Sequence, residues 1–137
     1  MIIQHQSGMA AEYYIASYYT QKGYEVLWPF SGQSRYDFVA EKDGQFIKVQ
    51  CKKATWSKNQ WHNYLQSRIS SRNKCSKPLY SEGDFDEYAF TDDAGRIWIF
   101  PFKVLEGLTS VCLDGSSENY RSYKKEYDPK DYLVKSS

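Results

Sequence analysis

Cysteine is scarce in this 137-residue chain, and its three copies, Cys51, Cys75 and Cys112, form no Cys-x-x-Cys pair. An odd, widely spaced set argues against a disulfide framework and a structural zinc site, and suits a reduced, cytoplasmic setting. No apolar run approaches the ~18 residues that a membrane-spanning helix needs. The opening "MIIQHQSGMA" lacks the basic flank and apolar core of a secretory signal, so no membrane partner is expected. A phosphate-binding loop, a nucleophile elbow and a dinucleotide fingerprint are all missing. His5 and His62 have no companions at metal-ligating spacing. With no repeat, low-complexity tract or linker, residues 1–137 read as one domain.

The most informative absence is electrostatic. Between Gln45 and Ser81 there is no Asp or Glu in 37 residues. The same window holds Lys48, Lys52, Lys53, Lys58, Arg68, Arg72, Lys74 and Lys77. The net charge of +1 conceals this segregation, because ten basic and seventeen acidic residues lie elsewhere. Such a block is the footprint a polyanion would meet, although charge alone fits a solvated basic face better.

What is present is an ordinary globular composition, 41% hydrophobic, with 13 Tyr and 4 Trp, and a mean hydropathy of −0.73. Ser7 is placed to cap a helix over residues 8–22, with Gly23 as its stop. "EVLWPF", "YDFVA" and "QFIKVQCKK" read as strands, with "EKDG" the turn between the last two. Residues 58–70 have weak periodicity and suggest a short helix. "FDEYAF" and "RIWIFPF" flank the turn "TDDAG", and a short helix follows near residues 102–108. The order predicts one mixed α/β unit. Residues 53–81 form its basic connector, an insertion where a polyanion would be met.

Alternation along "QFIKVQCKK" puts Ile47, Val49 and Cys51 on one face and Phe46, Lys48, Gln50 and Lys52 on the other. Gln50 and Lys52 are then neighbours, about 7 Å apart. If Asp43-Gly44 is a two-residue hairpin loop, Lys42 faces Gln45, and counting back sets Asp37 opposite Gln50. Directly opposed side chains have Cβ atoms about 5 Å apart. Glu12 shares a helical stripe with Gly8, Ile15, Ala16 and Tyr19, so it leans toward the sheet. By periodicity alone, Glu12 reads as a structural pair more readily than as a metal ligand. Asp37 likewise reads first as a cross-strand partner of Lys52.

In combination these residues resemble the PD-(D/E)XK nuclease superfamily: Glu12 on the first helix, Asp37 on a strand, and Gln50-x-Lys52 after a hairpin. The spacing resembles archaeal Holliday-junction resolvases, and more so the cyanobacterial type of group I intron homing endonuclease, which carries Gln where most relatives carry Glu. "YSEGDFDEYAFTDDAGRIWIFP" is similar to that subfamily as well. The resemblance implies a restriction-endonuclease-like α/β fold, a mixed β-sheet flanked by helices. It also implies a metal-dependent endonuclease acting on double-stranded DNA.

On that basis Glu12, Asp37, Gln50 and Lys52 are the expected catalytic residues. Mg2+ (or Mn2+) would be held by Asp37, Gln50, the Cys51 backbone carbonyl and, through water, Glu12. Gln50 removes one negative charge from the usual pattern, which weakens metal affinity and keeps a non-cleaving DNA-binding module in contention. A junction resolvase or a restriction-type enzyme is the other alternative. Lys53, Lys58, Arg68, Arg72, Lys74 and Lys77 are the expected DNA contacts. Lys53 suits a phosphate contact or a solvated side chain better than catalysis. Asp86 reads as structural. A chain this small cannot span a long duplex site alone, so a homodimer or homotetramer is expected, with tyrosine-rich surfaces of the C-terminal half as its interface.

Overall fold

A computed structural model describes residues 3–58, 60, 62–69, 80–115 and 126–137, with side chains from residue 7 onward. Helix α1 runs Ile3–Gln21. It starts about one turn earlier than the Ser7 cap predicts; Ser7 lies inside the helix, and its hydroxyl accepts from the Lys53 ammonium at 3.0 Å. Its end is as predicted. Gly23 takes φ +95°, and the Tyr24 and Gly23 N–H groups donate to the carbonyls of Tyr19 and Thr20, a Schellman closure.

Strands β1 (Glu25–Leu27), β2 (Phe38–Lys42), β3 (Gln45–Lys53), β6 (Glu87–Thr91), β7 (Ile97–Pro101) and β9 (Leu133–Lys135) make one sheet in the order β1-β2-β3-β6-β7-β9. Only the β3–β6 pair is parallel, so the sheet is mixed. Asp43 and Gly44 both have positive φ, 53° and 80°, the type I′ geometry that matches strand twist. The resulting register pairs Lys42 with Gln45 and Phe38 with Val49.

The face of the sheet under α1 buries Ile15, Ala16, Tyr19, Phe38, Ala40, Val49, Cys51 and Ala89 together. This is the stripe Glu12 belongs to. The opposite face carries Tyr88, Phe90, Trp98 and Phe100, which pack against Ala54, Leu65, Ile69 and Val111. Leu65 and Val111 come from a second sheet, β4 (Thr55–Lys58), β5 (Asn63–Arg68) and β8 (Ser110–Asp114), in the order β4-β5-β8, and Ala54 and Ile69 flank its strands. Helix α2 (Phe102–Leu105) follows β7 and buries Phe102 and Leu105.

The helix expected over residues 58–70 is therefore a correction: its described part is a β-hairpin arm. Leu65 and Ser67 point inward and their neighbours do not, a period of two that the polar composition disguises. The parallel β3–β6 pair needs a crossover, and this arm lies within it. The C-terminal tyrosines are also reassigned. Tyr132 stacks on Phe100 at 4.3 Å and Tyr127 meets the same ring edge-on at 5.9 Å, so both belong to the chain's own core. Tyr120 and Tyr123 lie outside the described residues.

Candidate active site

Asp37 stands one residue before β2, where the antiparallel ladder with β3 runs out. Its N–H donates to the Val49 carbonyl at 2.8 Å, although Val49 is already the partner of Phe38, so the chain bulges here and Asp37 leaves the ladder instead of pairing squarely with Gln50. Its carboxylate accepts the Cys51 N–H at 2.7 Å. A strand residue sends its N–H and C=O to the same side, so the Cys51 carbonyl also faces this edge, past the end of β2. Asp37 thus fills half of a vacancy in the sheet. The Cys51 carbonyl beside it points to the same open edge of β3.

Glu12 reaches the same place from α1. Together with Asp37 it lines a cleft of about 230 Å³ whose other walls are Trp28, Pro29, Ser31, Gly32, Ser34 and Tyr36. Trp28 closes the base of that loop by packing edge-on against Phe38 (5.5 Å) and Tyr13 (5.4 Å).

The electrostatics agree with this placement. Burial, and then the Asp37 charge, push the Glu12 carboxyl up from 4.5 to about 7. Burial raises Asp37 too, opposed by the Cys51 N–H bond and the Lys52 charge. The Cys51 thiol is driven up by burial, Asp37 and Glu12, with Lys52 opposing. Two carboxylates therefore share a site with too little positive charge. Lys52 is the cation whose charge acts on Asp37.

Gln50 sits on the face opposite α1, 9% exposed and level with Tyr88 of β6. It is not among the residues lining the cleft. Among the described residues no group of three His, Cys, Asp or Glu converges. A cation in this cleft would be held by the Glu12 and Asp37 carboxylates and would need neutral oxygens besides, for which the Cys51 carbonyl and the Gln50 amide are the candidates. That all-oxygen donor set is the kind Mg2+ and Mn2+ take, and the raised carboxyls are the charge it would relieve.

The expected DNA contacts scatter. Lys53 pairs with Asp93 at 2.7 Å and with Ser7. Lys58 and Arg68 are exposed at opposite ends of the β4–β5 hairpin. Their separation is about 17 Å, five strand residues. Arg72, Lys74 and Lys77 lie outside the described residues. Asp86 is structural, accepting the Lys48 N–H at 2.8 Å while its own N–H donates to the Lys48 carbonyl. Two features escape a reading of the sequence. The cleft loop has one signal, its position directly before Asp37. Tyr80, whose ring lies 5.6 Å from the Lys52 ammonium, has none.

Comparison with known proteins gives a consistent answer. Protein 5.3 of Escherichia phage T7 is 36% identical over 110 residues, which is 80% of this chain and 90% of the phage protein. The solved bacterial homing endonuclease I-Ssp6803I superposes with a TM-score of 0.70 at 20% identity, over 92% of this chain and 85% of that one. It shares the fold. A profile of PD-(D/E)XK endonucleases matches residues 2–114, and with the acid at the open end of β2 already in view, the chain belongs to the PD-(D/E)XK endonuclease family.

Proposed function

We propose that this chain is a site-specific endonuclease that hydrolyses phosphodiester bonds in double-stranded DNA with Mg2+ (or Mn2+), in the manner of a homing endonuclease. PD-(D/E)XK nucleases generally use divalent metal ions, and their fold implies a DNA substrate. One observation carries the reading. The Asp37 carboxylate is fixed by the Cys51 N–H at 2.7 Å, facing Glu12 across a cleft, with Gln50 and Lys52 alternating on the adjoining strand.

In this account Asp37, the Cys51 carbonyl and Gln50 would hold the cation, with Glu12 contributing through water. When bound, a divalent cation withdraws charge from the phosphate and favours an ionised water. The chain does the rest. Asp37 is held still by its backbone hydrogen bond, so no reorganisation is needed when the phosphate arrives. The Lys52 ammonium donates to the attacking water or to the phosphate oxygen on which charge develops. Burial and the Asp37 charge push the Glu12 carboxyl up to about 7, so it is partly protonated in slightly acid solution and activity should climb as pH passes 7. Gln50 contributes an oxygen without a charge, which predicts weaker cation binding than a glutamate would give.

Lys58 and Arg68 on the hairpin arm, with Lys53, Arg72, Lys74 and Lys77, are proposed phosphate contacts. A cut through both strands at a long site calls for two copies of the cleft, hence a homodimer or homotetramer. The homing role is supported by the fold of I-Ssp6803I and by glutamine at position 50. The test is digestion of a random-sequence plasmid library in Mg2+, followed by sequencing of the ends. Ends sharing a long common sequence are expected. Cutting only at four-way junctions would replace the proposal with a resolvase, and tight binding without cutting would replace it with a binding module.

A further inference from the structure

Lys52 is held unlike its neighbours on β3. Lys48 donates to the Gly83 carbonyl, and Lys53 is occupied by Asp93 and Ser7. Lys52 makes no hydrogen bond or ion pair to a described residue. What it meets is an aromatic ring, Tyr80, with the ammonium 5.6 Å from the centroid. A cation over a ring is attracted by the quadrupole of the face without spending a hydrogen-bond donor on an acceptor.

The ring is itself fixed. The Arg35 guanidinium lies 4.7 Å from its centroid and is anchored by Asp84 at 3.3 Å. Asp84 is held in turn by the Ser81 N–H at 2.9 Å. Phe85 meets Tyr80 edge-on at 4.9 Å, and Tyr88 does so at 6.4 Å. A lysine stem has several rotatable bonds, and a fixed ring limits them. The ammonium is thereby kept where its charge acts on Asp37.

We propose that Tyr80 is a positioning residue for Lys52: its ring fixes the ammonium at the end of β3 with its donors available to a substrate phosphate. This rests on the nuclease reading of the Asp37–Lys52 site. Misplacing a reacting group by about 1 Å costs on the order of 100-fold in rate, so the effect belongs in kcat rather than in KM.

The test is nicking of supercoiled plasmid in Mg2+ by wild type, Tyr80→Phe, Tyr80→Leu and a series with progressively fluorinated phenylalanines at position 80. Fluorination keeps the ring's shape and removes its negative face. Tyr80→Phe is expected to stay within about threefold of wild type, and Tyr80→Leu to lose about 10- to 100-fold in kcat with KM nearly unchanged. Across the fluorinated series kcat should fall stepwise while the melting temperature holds, a response that mere core packing would not produce. If Tyr80→Leu does not fold, the fluorinated series still decides. A kcat indifferent to fluorination overturns this inference and leaves the nuclease reading standing. A wild type that nicks nothing overturns both.

Discussion

Replacing Glu12 by Gln probes the cleft without removing its volume. Burial and Asp37 hold the folded Glu12 carboxyl near 7, against 4.5 in the unfolded chain. The folded state therefore keeps a proton that the unfolded state has already lost. Between those two pH values stability must fall as pH rises, and the loss is complete above about 7. At about 1.36 kcal/mol per pH decade a dry site would lose roughly 3 kcal/mol; the half-buried Glu12 is screened by water, which brings this to about 1–2 kcal/mol. Glu12→Gln carries no such penalty. At pH 8 without divalent ions the variant should be more stable than wild type by about 1–2 kcal/mol, and at pH 4.5 the two should agree within about 0.5 kcal/mol. Urea unfolding at a series of pH values in chelator measures this directly. Adding Mg2+ at pH 8 should then stabilise wild type more than the variant, because the cation relieves a charge the variant lacks. Parallel stability curves for the two proteins from pH 4.5 to 8 would refute the placement of Glu12 against Asp37.

Other perturbations test other links. Gln50→Glu adds a third carboxylate near the site; the fold is expected to persist while cutting reaches its maximum at a lower Mg2+ concentration, read from a metal titration. Arg96 ties Asp92 (2.8 Å) to Asp114 (2.9 Å), joining the β6–β7 turn to the second sheet. Arg96→Met strands the buried Asp92 carboxylate and should cost about 2–3 kcal/mol in denaturant unfolding, with cutting per folded molecule unchanged. If roughly six phosphates are contacted, duplex affinity should drop about a thousandfold between 50 and 200 mM salt. Lys58→Ala or Arg68→Ala should each lower that log–log slope by about one, as filter binding across salt concentrations would show.

The parts of the fold legible in the sequence are those set by local chemistry. Asp43-Gly44 admits one tight turn, so the β2–β3 register as far as Phe38 and Val49 follows by counting; Asp37, one residue further, leaves that register and bonds the Val49 carbonyl, which counting does not give. Gly23 ends α1 because a left-handed residue is needed there. The mixed sheet and the α1 stripe also emerge, since Ile15, Ala16 and Tyr19 are apolar at helical spacing. What was illegible depends on partners distant in the chain. Strand β5 is half polar, and Leu65 and Ser67 become inward-facing only because a large sheet lies beneath them. Strand β8 is short and gains its identity by pairing with β5 across more than forty residues. The tyrosine-rich tail looks like a sticky surface until Phe100 is seen to accept Tyr127 and Tyr132. Tyr80 reaches Lys52 through tertiary packing alone.

The most direct test of the whole account is nicking of supercoiled plasmid in Mg2+ by wild type and by Asp37→Ala at equal folded concentration. The account predicts cutting by wild type, none above background by Asp37→Ala, and undiminished duplex binding by both. Equal cutting by the two proteins would contradict it, because the side chain said to anchor the cation would then be dispensable.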